Sequence, residues 1–176
     1  METKHKGVIS VIIAAFIFGC MPLMANLVYM QGSNALSLVF YRFFFALPFL
    51  YILVRRSENE TLRLTKEEFK KIIIVGIFGY TGTGLTLFMS YSYIPSGMAT
   101  AIHFIYPMFV VLACLVFFKE KTSWLKLVSL ILSILGIMTF YEKGGGSNFI
   151  GILLAFISGI TYAFYTVYVD KSGLKE

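Results

Sequence analysis

Charge is scarce in this chain, and it is scarcest where the chain is most apolar. Only 14% of residues are charged, and six long apolar stretches contain no Asp, Glu or Lys except near their ends. Acid chemistry that needs an aspartate deep inside such a stretch is therefore excluded. Cysteine is scarcer still. Cys20 and Cys114 both fall inside apolar stretches and read as small packing residues, with no disulfide framework and no metal-ligand spacing. There is no HExxH, and neither histidine has a carboxylate at helical spacing within an apolar stretch, so the usual hydrolytic constellations are absent. The run GYTGTG, Gly79–Gly84, lacks the spacing of a nucleotide loop and follows no strand. No cofactor is expected.

Hydrophobicity is what the chain has in excess. The apolar fraction is 58% and the mean hydropathy is +0.81. A helix needs about 20 apolar residues to cross a hydrocarbon core roughly 30 Å thick. Six stretches meet that need approximately: Val8–Tyr29, Ala35–Val54, Ile72–Ser92, Gly97–Phe118, Trp124–Tyr141 and Phe149–Val169. A soluble domain of this length could not hide so much apolar surface. Helices that are apolar on every face are a membrane signature. The runs are continuous rather than alternating, which excludes a β-barrel. The expected fold is all-α: a polytopic membrane bundle of about six transmembrane helices.

The charges set its orientation. Thirteen of the 15 Lys and Arg flank the stretches on one side, Lys143 stands alone on the other, and Arg42 lies within a stretch. This is the positive-inside bias, so both termini are expected in the cytosol, in the cytoplasmic membrane. The net charge of +6 invites a nucleic-acid reading, but the basic residues do not gather on one face with interleaved aromatics. No nucleic-acid partner is expected; the lipid bilayer is. The first stretch is too long for a signal-peptide core and ends without a small-x-small cleavage site.

The connections are short on the outer side, at Met30–Asn34 and Tyr93–Ser96. The inner link, Arg55–Lys71, is longer, and its TKEE, Thr65–Glu68, has capping-box spacing. Residues 144–148 (GGGSN) read as a flexible joint. Trp124, Tyr29, Tyr91, Tyr93 and Tyr141 sit where amphipathic rings anchor at interfaces.

The joint separates two related pieces. Shifted by 144 positions, the first stretch overlays the sixth: Gly7 meets Gly151, and Ala15, Gly19, Pro22 and Asn26 meet Gly159, Ala163, Thr166 and Asp170. Each set lies on one helix face. Five crossings intervene, so the repeat is inverted, as in secondary transporters. The expected division is residues 1–143 as a five-helix repeat, 144–148 as the joint, and 149–176 as the first helix of an incomplete second repeat.

A few polar residues interrupt the stretches. Arg42 lies about 10 Å below the outer surface at 1.5 Å per residue. An intramembrane arginine defaults to a functional hypothesis. It either holds an anionic substrate group or reaches headgroups and carbonyls near Pro22. His103 lies at nearly the same depth. Pro107 lacks an N–H and frees the carbonyl of His103, four residues earlier. Ser96, Thr100, His103, Pro107, Val110 and Cys114 share one face. That face is either a packed kink or a cavity wall, with His103 a candidate for proton coupling. Arg42, His103, Pro107, Thr100 and Asn26 form the candidate substrate-binding set. Gly76, Gly79, Thr83, Thr86 and Ser90 in the third stretch, and Ser129, Ser133 and Gly136 in the fifth, read as packing stripes.

These residues are familiar together. Tyr93–Tyr141, with its mid-helix Pro107, the pair Glu120 and Lys121 and the late Gly136, resembles the fourth and fifth helices of EamA-type proteins in the drug/metabolite transporter superfamily. Tyr41–Leu50, carrying Arg42, resembles the second helix of that family, and Gly151–Lys171 resembles the opening of its second repeat. The resemblance implies ten helices in two inverted repeats that move small metabolites, often exporting amino acids, without ATP. It implies a transporter rather than an enzyme. It also implies a partner, either a second repeat or a second copy, because the substrate site lies between repeats. The alternative is a non-transporting assembly subunit or an inactive fragment.

Overall fold

A computed structural model describes residues 2–56, 64–120, 123–138 and 148–174. The helix starts follow from local chemistry. Asn34 Oδ1 accepts the Ser37 N–H at 2.9 Å and opens α2 (Ala35–Arg56) after α1 (Glu2–Met30). Thr65 opens α3 (Lys66–Ile74) with the expected capping box: Glu68 N–H donates to Thr65 Oγ1, and Thr65 N–H donates to Glu68 Oε2. A π-helical stretch, Val75–Thr81, continues α3 into α4 (Gly82–Ser90). Then come α5 (Ser96–His103), α6 (Tyr106–Phe118) and α7 (Trp124–Met138). Asn148 Oδ1 accepts the Ile150 N–H at 2.9 Å and opens α8 (Phe149–Lys171).

The described residues contain no strand. Five spans are long and apolar enough to cross a membrane: Gly7–Met30, Ala35–Arg56, Lys66–Ser90, Ser96–Phe118 and Phe149–Lys171. The fifth expected stretch is described as α7 over Trp124–Met138. Tyr141, Lys143 and residues 144–147 of the joint lie outside the described residues, as do the side chains of Ser129 and Ser133. The chain is an all-α, multi-pass membrane bundle. One end of it carries the short connections, and the other carries Arg55, Arg56, Lys71 and Lys171.

Two spans are interrupted, one unexpectedly and one where a kink is expected from Pro107. The third span holds the π stretch. The fourth breaks at Phe104–Ile105, which leaves Pro107 at the start of α6, where a missing N–H costs no intrahelical bond.

The last helix is the centre of the packing. α8 lies against α4 and the π stretch on one side and against α5 and α6 on the other. Its buried face is Gly151, Ala155, Ser158, Gly159 and Ala163. Further along the paired set, Thr166 is half-buried and Asp170 is exposed. Small residues let backbones close in. A Cβ on Gly151 would stand 2.8 Å from side-chain carbons of both Tyr93 and Ile94, and one on Gly79 would stand 2.9 Å from Tyr165 Cβ. The matching face of α1 is open: a Cβ on Gly7 or Gly19 would meet nothing within 4 Å. Among the described residues, α1 packs toward the short-loop end, where Ala25 joins Ala35, Val39, Phe88, Tyr91 and Ala99 in the core.

Candidate functional site

The short-loop ends of α1, α2, α4 and α5 meet in a polar network set among rings. Asn26 Nδ2 donates to Ser96 Oγ at 2.8 Å. Thr100 Oγ1 donates to the Ser96 carbonyl at 2.7 Å and lies 3.0 Å from the Tyr91 hydroxyl. Tyr29 donates its hydroxyl to the Phe88 carbonyl at 2.8 Å. Tyr29 and Tyr91 are thus tied to neighbouring helices. Each hydroxyl has found a protein acceptor or donor, which satisfies it without water. Tyr93 and Trp124 are the exposed ones, as interfacial rings should be.

Arg42 is half-buried beside this network. Its guanidinium carbon lies 5.7 Å from the Phe88 ring centroid and 5.9 Å from that of Phe43. A cation over a ring face is attracted by the ring quadrupole, more strongly when desolvated. Among the described residues no carboxylate pairs with it. Phe88 stacks edge-on with Tyr91 at 5.4 Å, so Arg42, Thr100 and Asn26 share one neighbourhood. The sequence pointed to an anionic substrate group, headgroups or carbonyls near Pro22 as partners of Arg42. It did not reveal the two rings, because Phe88 lies 46 positions away.

His103 sits one turn deeper and faces α8. Its Nδ1 is 2.9 Å from Ser158 Oγ, and Ser158 gives its only hydroxyl proton to the Ala155 carbonyl at 2.6 Å. That assigns the Nδ1–H tautomer: Nδ1 donates to Ser158, and Nε2 keeps its lone pair. The ring lies 5.4 Å from Tyr162 and 5.7 Å from Tyr106, centroid to centroid. The carbonyl of His103, freed at the break before Pro107, would meet a Cβ on Gly159 at 3.2 Å. Glycine at 159 therefore lets α8 come close to that carbonyl. Pro107 itself is exposed, so it makes the break without standing beside His103.

Ring contacts link the two polar groups. Phe43 meets Tyr80 at 5.4 Å, Tyr80 meets Tyr165 at 5.7 Å, and Tyr165 stacks on Tyr162 at 5.6 Å. A guanidinium stands at one end of this aromatic run and an imidazole at the other. Thr83 joins Thr161 on α8 at 2.9 Å, so the third-span stripe packs α8 through Gly79 and Thr83. Ser158, Thr161 and Tyr162 went unnoticed in the sequence. The spacing of small residues from Gly151 to Ala163 was the signal that could have drawn attention to that face.

Comparisons with known proteins agree with this architecture. The model of the EamA-like transporter family matches residues 5–141. An uncharacterized transporter of Archaeoglobus fulgidus is 29% identical over 106 residues, which cover 60% of this chain and 38% of the relative. The uncharacterized transporter sll1319 of Synechocystis is 28% identical over 153 residues, 80% of this chain and 46% of the relative. The uncharacterized transporter YvbV of Bacillus subtilis is 32% identical over 84 residues, 47% of this chain and 28% of the relative. The chain thus matches about half or less of the length of these curated relatives. No solved structure matches it. With the family model covering most of its length, the chain belongs to the EamA-like transporter family.

Proposed function

We propose that this chain forms the first part of a secondary carrier that exports small metabolites, such as amino acids, across the cytoplasmic membrane. Its charged end faces the cytosol. The observation that supports this best is Arg42, a permanent cation within a membrane span, set over rings with no carboxylate partner among the described residues. Such a cation keeps its charge for a transient anion, and a guanidinium matches a carboxylate in a two-bond fork. Asn26, Thr100 and Tyr91 offer hydroxyl and amide groups beside it. His103 Nε2, the acceptor nitrogen, suits an ammonium or hydroxyl donor on the same substrate. The rings from Phe43 to Tyr162 give an apolar wall between them. Substrates that combine a carboxylate, a donor and an apolar body fit this pattern.

Residues 1–143 act as one repeat, 144–148 as the joint and 149–176 as the start of the second. The rest of the second repeat, or a second copy, completes the carrier. One half rocks against the other around the site. The test is export of a metabolite panel by the full-length carrier that contains this chain. Arg42→Ala should lower export at least tenfold at unchanged membrane level. Undiminished export would remove Arg42 from the site. Absence of any transport by the wild type, in any assembly, would favour a non-transporting membrane subunit.

A further inference from the structure

A groove of about 840 Å³ opens between α6 and α8 at the charged end of the bundle. Its walls are apolar, with Leu112, Val116 and Phe117 on one side and Phe164 and Val167 on the other. From Ile160 to Lys171 it follows α8 for about 16 Å at 1.5 Å per residue, close to half of a hydrocarbon core of roughly 30 Å. The groove therefore has the length of one leaflet and ends where headgroups lie.

That end is polar in a specific way. Lys71 lines it and donates to the Ser172 carbonyl at 2.7 Å. An ammonium has three protons, so two remain to be placed. Among the described residues no carboxylate lies within ion-pair distance of Lys71. Lys171 differs, because Glu120 and Asp170 pair with it. Beside Lys71, the Ser172 hydroxyl is shielded from solvent and has no hydrogen-bond partner among the described residues. A buried hydroxyl left unpaired is an exception that asks for an explanation. A cation with spare donors and an orphan hydroxyl, at the headgroup end of an apolar groove one leaflet long, make a complementary set for an amphiphilic anion. Basic pockets between helices on the cytoplasmic side are a recurrent form of lipid-headgroup site.

We propose that this groove binds one anionic phospholipid, with an acyl chain lying between α6 and α8 and the phosphate at Lys71 and Ser172. Its assignment to the cytoplasmic leaflet rests on the orientation proposed above, whereas binding itself does not. The bound lipid fills the splay between the two helices and steadies the charged end.

Native mass spectrometry of the detergent-purified chain, given equal phosphatidylglycerol and phosphatidylcholine, tests this. The wild type should retain phosphatidylglycerol at least fivefold over phosphatidylcholine. Lys71→Gln should bring the ratio near one, and Ser172→Ala should lower it partway. Ala113→Trp, which fills the groove and leaves Lys71 in place, should remove both adducts. Size-exclusion profiles of the variants must match the wild type, and Ser172→Ala serves if Lys71→Gln fails to fold. Equal retention of the two lipids by the wild type would overturn the proposal. So would an unchanged ratio in both Lys71→Gln and Ser172→Ala. A lipid-free dimer lost in Ala113→Trp would also overturn it, because the groove would then be a contact between copies.

Discussion

Arg42 and His103 differ in how each is held, and that difference predicts how each responds to substitution. The Arg42 guanidinium depends on ring faces, so its planarity matters as well as its charge. In the complete carrier, Arg42→Lys should fall between wild type and Arg42→Ala in transport rate; equal rates for Lys and wild type would show that charge alone suffices. His103 depends on one hydrogen bond to Ser158. Hydrogen bonds between membrane helices average about 0.6 kcal/mol and reach roughly 1.7. Ser158→Ala should therefore destabilise the purified bundle by about 1 kcal/mol in thermal or denaturant melts, and a neutral result would mean His103 has another partner. Arg42 stood out in the sequence as one cation in an apolar run, open both to a substrate role and to reaching headgroups or carbonyls. Phe88 and Ser158 did not, because a ring or a hydroxyl in an apolar run is ordinary until the fold brings it to a distant residue.

Among elements, the ends of helices carry a more local signal than their middles. TKEE was read as a capping box and acts through bonds three residues away, whereas the equally local caps at Asn34 and Asn148 were not read in the sequence. Thr65→Ala removes the side-chain acceptor of the capping box and should cost about 1 kcal/mol. Hydrogen exchange at the first turn of α3 should quicken, and unaltered exchange there would mean the cap is redundant. The π stretch in the third span answers to packing against α8, which no local pattern encodes. Glycines separate the two cases. Gly79→Ala puts a Cβ 2.9 Å from Tyr165 Cβ and should loosen α8, lowering stability by about 1–3 kcal/mol as overpacking does. Gly76→Ala meets nothing within 4 Å and should be neutral, or stabilising by up to about 1 kcal/mol through helix propensity. Equal melting shifts in the two variants would show that the close approach at Gly79 carries no energetic weight.

For the whole molecule, the described bundle is lopsided. α8 is clasped by two spans, Lys66–Ser90 and Ser96–Phe118, whereas a Cβ on Gly7 or Gly19 of α1 would meet nothing within 4 Å. On the proposal that residues 149–176 open a second, inverted repeat, that face of α1 would seat the counterparts of α3 to α6. The membrane spans and the all-α fold were readable from apolar length and charge placement, because the bilayer imposes both on any spanning chain; the family was readable only through the resemblance of Tyr93–Tyr141, Tyr41–Leu50 and Gly151–Lys171. The central position of α8 was not, since one apolar helix after a glycine-rich joint looks the same whether it is central or peripheral.

In the proposed orientation the chain crosses the membrane repeatedly with its charged end in the cytosol. Single cysteines at Gln31 and Leu64, in a background with Cys20 and Cys114 replaced by alanine, test it directly through labelling with an impermeant maleimide on intact cells. The short-loop end should react at Gln31 without permeabilisation, and Leu64 should react only after it. Labelling of Leu64 from outside, or of both positions from the same side, would contradict the account.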